Sequence, residues 1–193
     1  MTHLRRTEVL RALDRALIAA LILLAVLLAG VQVAKASGEI IPSVGFTRPV
    51  HTDDNTAKFS GGLAVRGNLG PMFKAEIGAA YRNEERDAGL LDVRQWPVTA
   101  SLWFAPIPML YAGGGAGWYM TTLDYASSTG LKDETTSKFG VHLGGGLEVP
   151  LGPVAGLDLN GRYIFMDKVE SKLPPNEFDP DFWSTSLGLA IKF

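Results

Sequence analysis

Cysteine is absent from this 193-residue sequence, and histidine occurs only three times. Without thiols the chain has no disulfide framework, no thiolate metal site and no cysteine nucleophile. After residue 36 the sequence also lacks any apolar run near the roughly 20 residues that a membrane-spanning helix needs. Any insertion of this part of the chain into a bilayer would therefore use strands.

A strong positive charge is missing as well. The formal net charge is -2, and after residue 36 the acidic residues outnumber the basic ones, 18 against 13. Nucleic-acid-binding domains carry a basic patch that pairs with phosphates, so a nucleic-acid partner is not expected. The 22 glycines and the 9% of aromatic residues are typical of an all-β chain of a single domain.

The first 36 residues have the three parts of a secretory signal peptide. Four arginines among residues 5–15 precede an apolar run, residues 16–31, which is followed by Ala34-Lys35-Ala36. This pattern predicts a signal peptide at residues 1–36, cleaved after Ala36. The alternative is an uncleaved membrane anchor, but the apolar run is shorter than the span of a helical anchor.

Residues 37–193 are predicted to form one all-β domain, because apolar and polar residues alternate strictly with a period of two. On residues 58–69, for example, Phe59, Leu63 and Val65 share one face, whereas Lys58, Ser60 and Arg66 share the other. Eight strands are predicted, at residues 39–47, 58–69, 73–82, 96–104, 109–121, 139–149, 157–166 and 182–193.

The connections between these strands alternate in length. Three are short and contain proline, at residues 69–72, 105–108 and 150–153, and they alternate with longer polar segments at 48–57, 83–95, 122–137 and 167–181. Short turns at one end and long loops at the other are typical of transmembrane barrels, with the turns on the periplasmic side. The pattern predicts an eight-stranded antiparallel up-and-down transmembrane β-barrel.

Aromatic residues collect near both ends of the predicted strands, as they do at the two membrane interfaces. The residues near the long-loop ends are Phe46, Phe59, Tyr81, Trp96, Phe139, Phe165 and Trp183, and those near the short-turn ends are Phe73, Phe104, Tyr111 and Phe193. Most of them belong to the apolar face, which indicates that this face meets lipid.

The polar face carries the charged residues of the predicted strands. A lone Arg or Lys that faces lipid at the bilayer midplane costs about 2 to 4 kcal/mol, so these residues are expected inside the barrel. A turn near Gly70 would place Arg66 opposite about position 75, between Lys74 and Glu76. The predicted interior charge network consists of Arg66, Lys74, Glu76, Glu148, Asp158 and Arg162, and Lys192 shares the same face.

Several segments resemble the eight-stranded outer-membrane barrels related to the transmembrane domain of outer membrane protein A and to proteins X and W. They are residues 111–118 (YAGGGAGW), 144–148 (GGGLE), 158–163 (DLNGRY) and 186–193 (SLGLAIKF). The resemblance implies the outer membrane of a Gram-negative cell, contact with its lipid and lipopolysaccharide, and Phe193 as the signal read by the barrel-assembly machinery. It also implies a lumen held shut by charge pairs, or one that gates a narrow leak.

Four functions stay open at the level of the sequence. The preferred one is a structural or interaction role with a plugged lumen, because an eight-stranded barrel is just wide enough for side chains to fill. A narrow channel for small hydrophobic compounds is the second, favoured by inward Trp103, Ile164 and Met166. A lipid-modifying enzyme and a soluble eight-stranded carrier are the others.

No catalytic, cofactor-binding or metal-binding residue is assigned, and no cofactor is expected. His142 is the inward histidine of the sixth predicted strand, and His51 lies near Asp53 and Asp54 in the first long loop. Neither forms a Ser-His-acid set that the sequence alone makes visible, so the chain is not expected to be an enzyme.

Overall fold

The structure is a computed structural model that describes residues 38–50, 56–86, 91–126, 133–170 and 177–193. The predicted signal peptide and its cleavage after Ala36 lie outside the described residues, as do His51, Asp53 and Asp54. The described residues form ten strands: β1 (Gly38–Pro49), β2 (Lys58–Asn68), β3 (Phe73–Arg86), β4 (Leu91–Ile107), β5 (Leu110–Tyr125), β6 (Glu134–Pro150), β7 (Ala155–Met166), β8 (Val169–Glu170), β9 (Glu177–Phe178) and β10 (Phe182–Lys192).

Eight of these strands form one closed antiparallel barrel, in the order β1, β10, β7, β6, β5, β4, β3, β2. The first and last strands pair with each other, and Gly38 and Phe193 exchange two backbone hydrogen bonds, 3.2 Å and 2.9 Å long, at the end of that seam. Closure gives each of these eight described strands a neighbour on both sides, as a bilayer requires of a spanning sheet. The predicted eight-stranded barrel is confirmed.

Four strands are longer at their loop ends, by four or five residues, than the sequence predicted. Strand β3 ends at Arg86 instead of residue 82, β4 starts at Leu91 instead of residue 96, β5 ends at Tyr125 instead of residue 121, and β6 starts at Glu134 instead of residue 139. The extra pairing is supported by a small apolar cluster beyond the predicted strand ends, made of Leu91, Val93, Leu123, Tyr125 and Val169. Val169 belongs to β8, which pairs with β9 inside the segment that was predicted to be loop.

The apolar face of the wall points outwards, as predicted. Leu63, Val141 and Leu159 are each about half exposed, whereas Arg66 and Glu76 are each 2% exposed. Aromatic rings pair on the outer surface near both ends of the wall, for example Trp118 with Phe139 and Phe73 with Phe104. No helix in the described part of the chain is long and apolar enough to cross a bilayer.

Candidate functional site

The barrel interior holds the predicted charge network in the half of the lumen nearest the short turns. The antiparallel register places Arg66 directly opposite Glu76, and Glu148 directly opposite Asp158. Because side chains alternate between the two faces of a strand, residues paired on the inward face meet inside the barrel. All six predicted residues lie on this inward face and are connected.

Arg66 is the centre of the network. Its Nη1 atom lies 2.7 Å from Asp158 Oδ2 and 3.3 Å from Glu39 Oε1, and its Nε donates to Glu76 Oε2 at 2.8 Å. Its Nη2 donates to the Tyr111 hydroxyl at 3.2 Å. One guanidinium group on β2 thus contacts side chains from β1, β3, β5 and β7, and hydrogen bonds between charged groups are stronger than those between neutral groups.

Two lysines complete the turn end of the network. Lys74 Nζ lies 2.7 Å from Glu148 Oε2, and Lys192 Nζ lies 2.7 Å from Glu148 Oε1. Lys74 also approaches Glu39, with 3.6 Å between Nζ and Oε1. Glu148 therefore links β6 to both β3 and β10.

Arg162 extends the network towards the middle of the barrel. Its Nη2 donates to Glu76 Oε1 and its Nε donates to Asn160 Oδ1, each at 2.6 Å. The guanidinium lies 5.0 Å from the centre of the Trp103 ring. Counted over the whole network, the bases Arg66, Lys74, Arg162 and Lys192 match the acids Glu39, Glu76, Glu148 and Asp158. The network is thus electrically balanced, which favours the burial of its charges.

Two members of the network were not assigned to it from the sequence. Glu39 alternates with the outward Ile40 and could have been found from that pattern. Tyr111 was predicted near the short-turn end with no direction of its own, and it is 4% exposed and points into the lumen. Its hydroxyl lies 2.9 Å from both Asp158 oxygens and accepts from Asn160 Nδ2 at 3.0 Å.

Glycine on the neighbouring strand makes room for the Tyr111 ring. Tyr111 is directly opposite Gly146, and a Cβ atom at that glycine would lie 2.3 Å from the tyrosine hydroxyl. Any larger residue at position 146 would displace the ring that receives Arg66. The glycine run of β6 therefore has a steric role in the network.

A cavity of about 110 Å³ lies on the loop side of the network. Part of its lining consists of small or hydroxyl side chains, including Thr47, Ser60, Ser184 and Ser186. The rest consists of larger groups, including Tyr119, His142, Arg162, Ile164 and Phe182. Tyr119, Ile164 and Phe182 pack together with Met166, so apolar side chains narrow this half of the lumen.

The wall beside this cavity contains an interruption in strand pairing. In the described part of the chain, strands β3 and β4 are paired as far as Ala79 and Val98, and pairing resumes at Arg82 and Gln95. The two residue pairs between these positions are not formed. Pro97 lies in this gap, and proline has no N–H to donate to a neighbouring strand. Its side chain also lines the cavity.

Ser101 and His142 form a buried hydrogen bond that the sequence did not indicate, with 2.9 Å between Oγ and Nε2. Both are opposite Gly115 of the intervening strand, and they meet because this glycine has no side chain. His142 Nδ1 has no hydrogen-bond partner among the described residues, so no acid orients the ring as in a Ser-His-acid triad. Within the same residues, no group of three potential metal ligands is found.

Comparison with known proteins is consistent with this geometry. The family model described as "Outer membrane protein beta-barrel domain" matches residues 17–193. No curated protein matches the sequence.

Solved structures share the fold at low sequence identity. Neisserial surface protein A is 15% identical with a TM-score of 0.64, over 81% of this chain and 97% of that one. OprG from Pseudomonas aeruginosa is 20% identical with a TM-score of 0.62, over 82% and 96%. Ail, the attachment invasion locus protein of Yersinia pestis, is 19% identical with a TM-score of 0.52, over 82% and 99%.

Proposed function

Because the chain belongs to the outer membrane β-barrel family and is located in the outer membrane, we propose that it is a structural or interaction protein whose lumen is closed by its own charged side chains. The observation that carries this proposal is the set of contacts of Arg66, which is 2% exposed and bonded to side chains from four other strands. In this proposal, the balanced ionic network closes the aqueous path at that height.

The proposal is tested by conductance. The purified protein is inserted into planar lipid bilayers, and the expected result is no steady open current. A variant in which Arg66, Glu76 and Asp158 are all replaced by alanine serves as the comparison, since its emptied lumen should conduct if the network is the barrier. A large, permanent conductance of the unaltered protein would refute the proposal that its charged side chains close the lumen.

A second candidate, a narrow passage for small hydrophobic compounds, is favoured by a different observation. The cavity adjoins the apolar cluster of Tyr119, Ile164 and Phe182, and the pairing gap at Pro97 lies in its wall. The serine and threonine hydroxyl groups that also line the cavity favour water or a polar ligand instead. Uptake of the apolar dye N-phenylnaphthylamine into cells that carry the protein, compared with cells that carry Pro97→Val, distinguishes the candidates: only a wall passage predicts a difference.

The proposal assigns no catalytic activity, and it includes two kinds of partner. The outward apolar face and its aromatic rings support contact with outer-membrane lipid and lipopolysaccharide. Phe193 is 57% exposed at the end of the last barrel strand, where the barrel-assembly machinery could reach it. The loops supply the surface for any further partner.

A further inference from the structure

Four neighbouring strands carry small inward side chains at the height of the cavity. They are Ser184 and Ser186 on β10, Ser43 and Gly45 on β1, Ser60, Gly62 and Ala64 on β2, and Gly78 and Ala80 on β3. At Gly78 the packing of the strands does not require this, because an added Cβ would lie 3.5 Å from the Cβ of Ala64, an ordinary contact. Larger side chains would fill a barrel of eight strands, whereas a barrel that leaves a space can hold one small ligand.

Several hydroxyl groups that line the cavity have no protein partner. Tyr119 is 2% exposed and Ser60 is 8% exposed, and within the described residues neither hydroxyl forms a hydrogen bond. The same holds there for the hydroxyl groups of Thr99, Ser184 and Ser186. Because buried polar groups are normally hydrogen-bonded, these side chains indicate a polar occupant.

Another part of the lining is apolar. Tyr119, Ile164 and Phe182 pack together, and the two rings meet edge to face with their centres 6.3 Å apart. Water gains little from such groups, whereas the C–H groups of a carbon compound gain from contact with them. A compound with a carbon skeleton and several hydroxyl groups matches both parts of the lining.

The charged groups beside the cavity already have partners. Glu76 and Arg162 belong to the balanced network and are joined by a hydrogen bond of 2.6 Å. Arg82 donates to Gln95 Oε1 at 2.6 Å, and its guanidinium lies 3.7 Å from the centre of the Phe182 ring. The cavity therefore presents chiefly neutral hydroxyl groups, which both donate and accept hydrogen bonds, and this favours a neutral ligand over an ion.

The volume of the cavity limits the size of its ligand. Its 110 Å³ correspond to about three or four water molecules, at roughly 30 Å³ for each in the liquid. A cavity of about 150 Å³ admits benzene. A ligand of this cavity is therefore smaller than benzene and has two or three carbon atoms.

From the size, the lining and the charge of the cavity, we propose that it is a binding site for one small neutral polyhydroxy compound of the size of glycerol. The hydroxyl groups of this ligand bond to Ser60, Tyr119 and Ser184, and its carbon atoms lie against the Phe182 ring. The site lies on the loop side of the Arg66 network, and it does not require that network to close the lumen.

Glycerol is the probe in the experiment that tests this proposal. The isotope-labelled barrel is refolded in detergent micelles and titrated with glycerol, and its amide chemical shifts are followed by NMR. We expect saturating shifts at Ser60, Tyr119 and Ser184, with a dissociation constant in the millimolar range because so small a ligand makes few contacts. Nuclear Overhauser effects from glycerol C–H protons to the rings of Tyr119 and Phe182 locate the ligand.

Two pairs of variants show whether the binding depends on the cavity. Tyr119→Phe removes one hydroxyl group and should weaken glycerol binding about threefold or more, the effect of one net hydrogen bond. Tyr125→Phe, a buried tyrosine outside the described cavity lining, is the matched control and should bind as the parent does. Ser184→Leu fills the cavity and should abolish saturation, whereas Ser137→Leu, at an exposed position of β6, should retain it. The amide spectrum of each variant verifies its fold.

Shifts that rise in proportion to glycerol concentration without saturating would overturn the proposal and leave water as the occupant. Nuclear Overhauser effects to Tyr119 from benzene but not from glycerol would also overturn it, in favour of the passage for hydrophobic compounds. Saturation with sodium phosphate but not with glycerol would assign the site to anions instead. If Ser184→Leu does not fold, Tyr119→Phe decides, and parent affinity in that variant would contradict the site.

The conductance of the unaltered protein is independent of all these outcomes, so the closed lumen and the ligand site can fail separately.

Discussion

Arg66 and Asp158 are 92 residues apart in the sequence, and Nη1 of the arginine lies 2.7 Å from Oδ2 of the aspartate. Their strands, β2 and β7, are separated in the wall by β1 and β10. The contact therefore crosses the lumen rather than running along the sheet. It ties two sides of the barrel together in a place that lipid cannot reach.

Replacing Arg66 by methionine is expected to lower the free energy of unfolding by about 3 to 5 kcal/mol, because Glu76 and Asp158 then stay buried without their common partner. Urea unfolding from lipid vesicles, followed by tryptophan fluorescence, measures the loss. Arg48→Met, at an exposed position of β1, is the matched control and should change stability by less than about 1 kcal/mol. Equal stability of the Arg66→Met variant and the parent protein would show that the network does not hold the barrel together.

A methyl group at position 146 is expected to disturb the network through Tyr111. Gly146→Ala should destabilise the barrel by about 1 to 3 kcal/mol, since the new Cβ overlaps the tyrosine hydroxyl, so that the ring must move, and also lies 2.5 Å from the Leu159 carbonyl oxygen. Gly161→Ala is the matched control, because a Cβ at that glycine has no heavy atom of the described residues within 4 Å. The two variants are compared by the same urea titration, and an equal loss in both would contradict the steric role of Gly146.

The outward direction of Leu143 predicts a large cost for a charge at that position. Leu143 is 62% exposed near the middle of β6, so Leu143→Arg should cost about 2 to 4 kcal/mol in a bilayer. Leu143→Ala controls for the lost aliphatic side chain. If the arginine variant folds in vesicles with the stability of the alanine variant, the outer face does not meet hydrocarbon at this height.

Removing the imidazole of His142 is expected to leave membrane lipids unchanged, because no acid orients its Nδ1 among the described residues. Mass spectrometry of lipid A and phospholipids from cells with the parent protein and with His142→Ala provides the measurement. Ser101→Ala, which removes the hydrogen-bonded hydroxyl, is the companion variant. An altered acyl pattern that depends on both residues would establish a lipid-modifying enzyme instead.

Phe193 is expected to matter for assembly more than for the finished barrel. Its ring packs on Gly38 on the outer side of the seam, and its backbone hydrogen bonds are independent of the side chain. Phe193→Ala should therefore lower the amount of barrel in the outer membrane several-fold, with little change in unfolding free energy once folded. Phe104→Ala, another exposed ring at the turn end, should accumulate at the parent level.

The alternation of residues was enough to predict the eight strands, the outward face and the six charged residues of the interior. Glu39 follows the same alternation and was within reach of that reasoning. The extension of β3, β4, β5 and β6 at their loop ends was not predicted. The apolar residues that support β4 and β5 there alternate over only a few positions, and they pack against Val169 from another segment. The direction of Tyr111 was left open, since an aromatic ring near a strand end can point to either face of the wall until its neighbours are known.

By itself, the sequence determined which side chains share a face, because a strand's side chains alternate with a fixed period of two. It also determined that the charged face must be enclosed, since hydrocarbon does not tolerate it. Only the tertiary structure decided which enclosed groups touch. The bond from Arg66 to Asp158 depends on barrel closure, and the bond from Ser101 to His142 depends on the register of two strands on either side of Gly115. Partners of this kind are set by geometry across the lumen, which no local pattern along the chain encodes.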